Sequence, residues 1–212
     1  MLYRHFFWDF DGTLYDTYGR ITRACLKGLR DLGIEASYEE VYALCKRTLE
    51  ACARAFSARF EGVQVEDILT AYRVHAEEES IDAVGLYPGV REMLKTVVQQ
   101  GGRNYLFTHR GESAFKFLGR DGIEGLFADT VTSLDGFARK PAPDGLNYLV
   151  AKYHLDVKNC IMLGDRDIDL DSGKNAGMAC ALFDPENFYP DYDTPFRFRD
   201  MDTLRKTLTG EK

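Results

Sequence analysis

Short apolar runs alternate with helical patterns along most of the chain, and this alternation constrains its fold more than any other feature. The helical patterns cover about 88 to 99, 112 to 120, 143 to 153 and 168 to 176. The predicted strands are the apolar runs Tyr3 to Trp8, Asn104 to Phe107, Cys160 to Leu163 and Ala179 to Phe183, together with Asp129 to Ser133, which is short and rich in Thr and Val. Strands that alternate with helices pair in parallel through right-handed crossovers. The sequence therefore predicts a three-layer α/β core around a parallel sheet.

One long stretch interrupts this alternation directly after the first apolar run. No strand pattern occurs between residue 16 and about residue 83, where helical patterns cover about 17 to 32, 38 to 60 and 65 to 79. We therefore expect a small helical domain of residues 16–83, inserted into an α/β core made of residues 1–15 and 84–212.

Polar and charged residues follow four of the five predicted strands. In open α/β sheets, ligands bind at the carboxyl ends of the strands. The residues at these ends are of the kinds that handle a phosphate and a metal ion. They are Asp9, Asp11 and Gly12 after the first strand, Thr108, His109 and Arg110 after the second, Lys140 beyond the third, and Asp165, Asp167 and Asp169 after the fourth.

The first of these groups is an acidic pair with one residue between its members. Residues i and i+2 of an extended backbone point to the same side, so ionised Asp9 and Asp11 would repel each other unless positive charge lies between them. Gly12 follows at once, where the backbone can bend or approach a ligand. Taken alone, the pair would equally suit a turn, because Asp and Gly are ordinary turn residues.

The four groups, in this order, resemble the motifs of the haloacid dehalogenase-like hydrolases, and the resemblance covers essentially the whole chain. DFDGT at 9–13 resembles the first motif, Asp-x-Asp-Gly-Thr, and Thr108 resembles the second. Lys140 in RKPAPD resembles the third motif, and GDRDID at 164–169 resembles the fourth. The helical insertion is similar to that of the subfamily that includes phosphoglycolate phosphatase and β-phosphoglucomutase. The resemblance implies a Rossmann-like core with a small α-helical cap domain.

The resemblance also implies a reaction, the Mg²⁺-dependent hydrolysis of a phosphomonoester. Asp9 would attack phosphorus and form an aspartyl-phosphate, and Asp11 would protonate the leaving oxygen and later activate water. The implied Mg²⁺ ligands are Asp9, the Asp11 carbonyl and Asp165, with Asp169 in support.

The remaining motif residues are implied to hold the substrate. Thr108 and the His109 N–H would bind phosphoryl oxygens beside Gly12, and Lys140 would supply a fixed positive charge and orient Asp9. One departure stands out, because relatives often carry Asn after the second motif, whereas His109 and Arg110 follow Thr108 here. The backbone N–H is unaffected by this change, but the two side chains bear on substrate choice.

Arg47 is a further substrate-binding candidate, in the helical insertion. It lies seven residues before Arg54 in the predicted helix, so the two share a face. A solvated basic face explains the pair most simply. The alternative hypothesis is that Arg47 contacts the distal group of an anionic substrate.

Two other functions remain open beside phosphomonoester hydrolysis. A phosphosugar mutase of the β-phosphoglucomutase type would use the same residues and return the phosphoryl group to a sugar. A catalytically idle binding or regulatory module would keep the fold alone, but Asp9, Asp11, Lys140 and Asp165 are all present. Asp11 argues against a dehalogenase, since family dehalogenases lack the second Asp. Phosphoglycolate, a sugar phosphate and a nucleoside monophosphate all remain open as substrates.

Composition restricts the partner and the compartment. The 212 residues are 45% hydrophobic and 29% charged, which is typical of a globular protein. The net charge of -7 disfavours a nucleic-acid partner, and no apolar run approaches the length of a membrane span. Five cysteines without a CxxC pair favour a reducing compartment over a disulfide or zinc framework. We expect a cytoplasmic protein whose partner is a small phosphorylated metabolite.

Overall fold

The structure is a computed structural model that describes residues 1–210, and the chain divides into two compact units. One unit comprises Met1–Tyr15 together with the chain from Leu86 onward, and the other is Asp16–Gly85. Among the described residues, no helix combines the length and the apolar character that crossing a lipid bilayer requires.

The smaller unit is helical throughout its regular structure, and a polar side chain caps two of its helices. Ser37 accepts a hydrogen bond from the Glu40 N–H, and Thr48 accepts one from the Ala51 N–H at 2.8 Å. The helices are α1 (Tyr18–Asp31), α2 (Tyr38–Arg47), α3 (Leu49–Ser57) and α4 (Val65–Glu78).

The prediction of one continuous helix over 38 to 60 is wrong. The chain breaks at Thr48, whose φ of -159° and ψ of 152° are extended, and this residue ends α2 and caps α3. A β-branched residue with a hydroxyl suits such a cap better than a helix interior. Arg47 and Arg54 therefore lie on different helices, and the argument that they share one helical face no longer holds.

The larger unit is built on a parallel sheet of six strands within residues 1–210. Their spatial order is β3-β2-β1-β4-β5-β6, and every neighbouring pair is parallel. The strands are β1 (His5–Trp8), β2 (Arg103–Phe107), β3 (Phe127–Val131), β4 (Cys160–Gly164), β5 (Ala179–Phe183) and β6 (Phe196–Phe198). The helices of this unit are α5 (Val90–Gln99), α6 (Ser113–Arg120), α7 (Asp144–Lys152), α8 (Asp167–Asn175) and α9 (Met201–Thr209).

Helices cover both faces of this sheet. On one face the Phe7 and Tyr105 rings stack with centroids 4.8 Å apart, in a buried cluster that includes Leu146 of α7 and Leu170 of α8. Side chains of successive strand residues point to opposite faces, so the neighbouring residue Asn104 lies on the other side, where it bonds to α5. The predicted three-layer α/β core is therefore confirmed.

Three details of the core differ from the sequence prediction. Strand β3 begins two residues earlier than expected and ends at Val131, because Thr132 and Asp135 cap a short 3₁₀ turn over Ser133–Asp135. The edge strand β6 and helix α9 were not predicted at all. Helix α5 begins at Val90, after Gly89 at a φ of 87°, and not at about residue 88.

A buried polar contact joins the neighbouring strands β1 and β2. The Asn104 side chain is fully buried, and its Oδ1 accepts a hydrogen bond from the Trp8 indole N–H at 2.9 Å. Its amide donates to the carbonyls of Leu94 at 3.0 Å and Leu126 at 3.1 Å. One side chain thus satisfies groups on β1, on α5 and before β3.

We expect Asn104→Ala to lower the free energy of unfolding by about 3 kcal/mol, because it leaves a buried indole N–H without its acceptor and removes two further hydrogen bonds to carbonyls. Chemical denaturation of both proteins measures this difference. Asn147→Ala, at an exposed position of α7, is the matched control and should change stability by less than about 0.5 kcal/mol. Equal stability of the two variants would show that the hydrogen bonds of Asn104 do not stabilise the fold.

Candidate active site

A buried lysine bridges two carboxylates at the carboxyl end of the sheet. Lys140 Nζ donates to Asp9 Oδ1 at 2.5 Å and to Asp169 Oδ1 at 2.8 Å. The lysine side chain is fully buried, as is that of Asp169, and Asp9 is 2% exposed. These residues come from the end of β1, the loop after β3 and the first turn of α8, so the fold assembles the predicted first, third and fourth motifs.

Burial and charge act against each other in this cluster. Burial, with the Asp169 carboxylate nearby, raises the pKa of Asp9 to about 6. Burial alone would lower the pKa of Lys140, but Asp169 and Asp9 raise it above its ordinary value. The pKa of Asp169 lies below its ordinary value, because Lys140 and Arg166 outweigh the opposing effect of burial.

Asp165 completes a set of three buried acids. Carboxylate oxygens of Asp9, Asp165 and Asp169 lie within 4.8 Å of one another. Asp9 Oδ2 is buried and has no hydrogen-bond partner within residues 1–210. Oxygen ligands at this density suit a hard divalent cation, and an unpartnered buried oxygen is the kind of group that such an ion satisfies. The residues present therefore fit a metal ion of this class.

The carboxylate of Asp11 takes a different partner from that of Asp9. Arg110 Nε donates to both Asp11 oxygens at 2.9 Å, and Nη2 donates to Oδ1 at 2.6 Å. The guanidinium carbon lies 5.0 Å from the Phe10 ring centroid and 5.3 Å from that of Phe117. Each carboxylate of the acidic pair thus has its own cation.

The role of Arg110 was not predicted from the sequence. The residue is noticeable there only as a departure from the second motif, and its partner Asp11 lies 99 positions away. A charged residue three positions after a buried strand is the only local signal for this role.

Thr108 and His109 directly follow β2, and the His109 side chain contacts the loop that carries Lys140. Thr108 is buried, and its hydroxyl accepts a hydrogen bond from the Arg110 N–H at 3.1 Å, which uses an acceptor position of the oxygen and not its hydrogen. His109 Nε2 accepts the backbone N–H of Lys140 at 2.8 Å. The His109 side chain therefore supports the loop that carries Lys140, a function that the sequence did not suggest.

Gly12 and Arg47 are the remaining predicted site residues. Gly12 has a φ of 81°, a left-handed conformation that favours glycine, and its N–H donates to the Tyr15 carbonyl at 2.8 Å. This bond closes the loop after β1, so the Gly12 N–H already has a partner. Arg47 is exposed at the last residue of α2 in the helical unit. Their parts in substrate binding stay predictions.

A second cluster of metal-ligating atoms lies in the helical unit. The thiols of Cys25, Cys45 and Cys52 come from α1, α2 and α3, and their sulfur atoms lie within 4.8 Å of one another. All three are buried in the apolar core of this unit. Buried thiols pack as small apolar side chains, and this accounts for the cluster without a further role.

The sequence between residues 6 and 183 matches the family described as haloacid dehalogenase-like hydrolases. The match spans well over half of the chain. The chain belongs to the haloacid dehalogenase-like hydrolases. This confirms the resemblance that the four motifs carry.

Curated relatives of the chain are named as phosphatases. The pyrophosphatase PpaX of Halalkalibacterium halodurans is 28% identical over 205 residues, which is 92% of this chain and 92% of the relative. A phosphoglycolate phosphatase of Vibrio parahaemolyticus is 29% identical over 191 residues, which is 82% of this chain and 80% of the relative. These names agree with the phosphatase assignment made from the sequence.

Solved structures share the fold. A hydrolase from Streptococcus pneumoniae TIGR4 is 29% identical, with a TM-score of 0.66 over 98% of this chain and 99% of that chain. A haloacid dehalogenase-like family hydrolase from Streptococcus pneumoniae is 17% identical, with a TM-score of 0.82 over 97% of this chain and 98% of that chain. The second structure is too distant in sequence to show more than a shared fold.

We expect Gly164→Ala to displace Asp169, because an added Cβ would lie 2.2 Å from the Asp169 Cβ. The free energy of unfolding should fall by about 2 kcal/mol or more, as measured by chemical denaturation. Gly119→Ala is the matched control, since Gly119 is exposed on α6 with nothing within 4 Å of an added Cβ, and should raise stability by up to about 1 kcal/mol. A neutral effect of Gly164→Ala would show that Asp169 is not fixed there.

The stability of the protein should depend on the protonation of His109. Burial, with the Lys140 and Arg139 charges, lowers the pKa of His109 to about 3 from 6.5. The unfolded state then binds more protons than the folded state between these values, so stability falls as the pH falls. From pH 7 to pH 5 the wild type should lose about 1–2 kcal/mol more than His109→Gln, which keeps an acceptor but does not titrate. Parallel losses in denaturation at both pH values would refute this.

Proposed function

We propose that the protein is a Mg²⁺-dependent phosphomonoesterase that acts on a small phosphorylated metabolite through an aspartyl-phosphate. The single observation that carries the proposal is the state of the Asp9 carboxylate. One oxygen is held by the buried Lys140, and the other has no hydrogen-bond partner in the described chain and lies in the acidic cluster with Asp165 and Asp169. A carboxylate fixed in this way is suited to act as a nucleophile.

The chemistry divides between the two acids of the first motif. Asp9 attacks phosphorus, and the bond between phosphorus and the leaving oxygen breaks as Asp11 gives that oxygen a proton. Water then attacks the phosphorus of the aspartyl-phosphate and loses a proton to Asp11, which releases phosphate and restores Asp9. Asp9 is thus the nucleophile and Asp11 transfers the protons of both steps, and the different environments of the two carboxylates support this division.

The other motif residues bind and orient the phosphoryl group. Lys140 offsets negative charge and holds the Asp9 carboxylate in position. The Thr108 hydroxyl and the His109 N–H donate to phosphoryl oxygens. Asp9, Asp165 and the Asp11 carbonyl would hold Mg²⁺, with Asp169 in support, and the bound ion would neutralise charge between the carboxylate and the phosphate dianion.

The names of the relatives suggest which substrates to try first. One is called a pyrophosphatase and another a phosphoglycolate phosphatase. Both substrates carry a second anionic group beyond the phosphoryl group that is transferred. The role of Arg47 as a contact for such a group stays a prediction, which Arg47→Ala would test through an increased KM.

We expect the purified protein to release phosphate from members of a panel that contains phosphoglycolate, pyrophosphate, sugar phosphates and nucleoside monophosphates. Release should require Mg²⁺ and stop when a chelator is added. Asp9→Asn should lower kcat by more than about a thousandfold, since it removes the nucleophile. Asp191→Asn, at an exposed position of the same unit, is the control and should leave kcat unchanged.

Two results would contradict the proposal. Transfer of the phosphoryl group between two positions of a sugar, without phosphate release, would identify a mutase. A folded protein that neither releases nor transfers phosphate from any member of the panel would identify a catalytically idle module.

A further inference from the structure

The contact between Arg110 and Asp11 conflicts with the function proposed for Asp11. As an acid and base, Asp11 must present an oxygen to the leaving atom of the substrate and later to water. In the structure, both of its oxygens accept hydrogen bonds from Arg110 in a forked ion pair. Such pairs are among the strongest side-chain contacts. Asp11 therefore cannot act as the acid and base until another group replaces it on the Arg110 guanidinium.

Arg110 itself is fixed by its surroundings. Its guanidinium lies over the Phe10 and Phe117 rings, and Nη1 donates to the Ser113 hydroxyl at 3.3 Å. Its backbone N–H is bonded to Thr108. Aromatic faces on one side and hydrogen bonds on the other preorganise the fork. Asp11, the other member of the pair, lies three residues after β1 and is the more exposed of the two, at 20% against 11% for Arg110.

In the proposed reaction, the Arg110 guanidinium lies close to the leaving part of the substrate. Asp11 must come within hydrogen-bond distance of the leaving oxygen, and Arg110 already lies within hydrogen-bond distance of Asp11. A group that is one or two bonds beyond the leaving oxygen therefore comes close to the guanidinium. Arginine forks bind carboxylates and phosphates in the same two-point manner, so an anionic group at that place competes directly with Asp11.

We propose that Arg110 is a specificity-determining residue that exchanges Asp11 for a second anionic group on the leaving part of the substrate. The exchange releases Asp11 from Arg110 for proton transfer. A substrate with such a group therefore activates the enzyme for its own hydrolysis. A substrate without it leaves Asp11 bound to Arg110 and reacts slowly. This inference rests on the proposed phosphatase function and names the class of substrate, a phosphate compound with a neighbouring carboxylate or second phosphate.

The test compares substrates that differ in the second anionic group. The first pair is 2-phosphoglycolate and 2-hydroxyethyl phosphate, which share a two-carbon leaving group and differ in the carboxylate. The second pair is pyrophosphate and methyl phosphate, which tests a phosphate in the same role. The kcat and KM values are measured for the wild type, Arg110→Gln, Arg110→Lys and Arg120→Gln. Arg120 is the matched control, because its guanidinium also lies over Phe117 and pairs with Asp121.

We expect the wild type to favour the anionic member of at least one pair by about tenfold or more in kcat/KM. Arg110→Gln should remove this preference, by losing activity on the anionic member while kcat on the neutral member stays the same or rises. Arg110→Lys should restore part of the preference, since it keeps the charge without the fork. Arg120→Gln should keep the wild-type ratio. The pair that responds distinguishes a carboxylate from a phosphate.

Several results would overturn the inference while the proposed function stands. One is a wild type that hydrolyses both members of each pair equally. Another is an equal loss on both members in Arg110→Gln, which would make Arg110 a support for Asp11 alone. If circular dichroism shows that Arg110→Gln is unfolded, inhibition of the wild type by the products of the reaction tests the inference instead. Glycolate should then inhibit and ethylene glycol should not, and equal inhibition overturns the inference. A wild type that releases no phosphate from any compound overturns the proposed function itself.

Discussion

The ammonium group of Lys140 is the point on which the candidate active site depends. It lies between Asp9 and Asp169 without exposure to solvent, and it joins the end of β1, the loop beyond β3 and the start of α8. Removing charges from water costs several kcal/mol for each ion unless they are paired. Three carboxylates, those of Asp9, Asp165 and Asp169, nevertheless share this region. Burial, together with the negative charge of Asp169, raises the pKa of Asp9, and in the proposed mechanism a divalent cation would offset this negative charge.

The two acids of the first motif are one residue apart, yet the fold gives them opposite environments. Asp9 is buried and fixed by a lysine, whereas Asp11 is partly exposed and paired with an arginine. The left-handed turn at Gly12 follows directly and folds the chain back onto Tyr15. Titratable groups with such different surroundings are suited to different tasks. A rigid acid suits covalent attack, and an exchangeable one suits proton transfer.

Much of this arrangement could be predicted from the sequence, because strands buried on both faces appear as apolar runs and their ends carry the polar groups. The order of the motifs predicted which strand ends meet. The break at Thr48 was missed because a capping threonine resembles an ordinary helical residue in a long pattern. The edge strand β6 is three residues long, too short to give a pattern. The pairing of Arg110 with Asp11 depends on side-chain directions at two strand ends, which no local pattern encodes.

The path of the chain around residues 16–85 has a consequence for the evolution of such a protein. The Asp16 N–H bonds to the Gly85 carbonyl at 3.2 Å, and the Tyr87 N–H bonds to the Leu14 carbonyl at 2.9 Å. The helical segment therefore leaves and rejoins the sheet-bearing unit through two adjacent strands of backbone. Segments whose ends lie close together can be lengthened, shortened or replaced with little penalty in chain entropy. A gene encoding this protein can thus acquire a new insert at one position while the residues at the strand ends remain as they are.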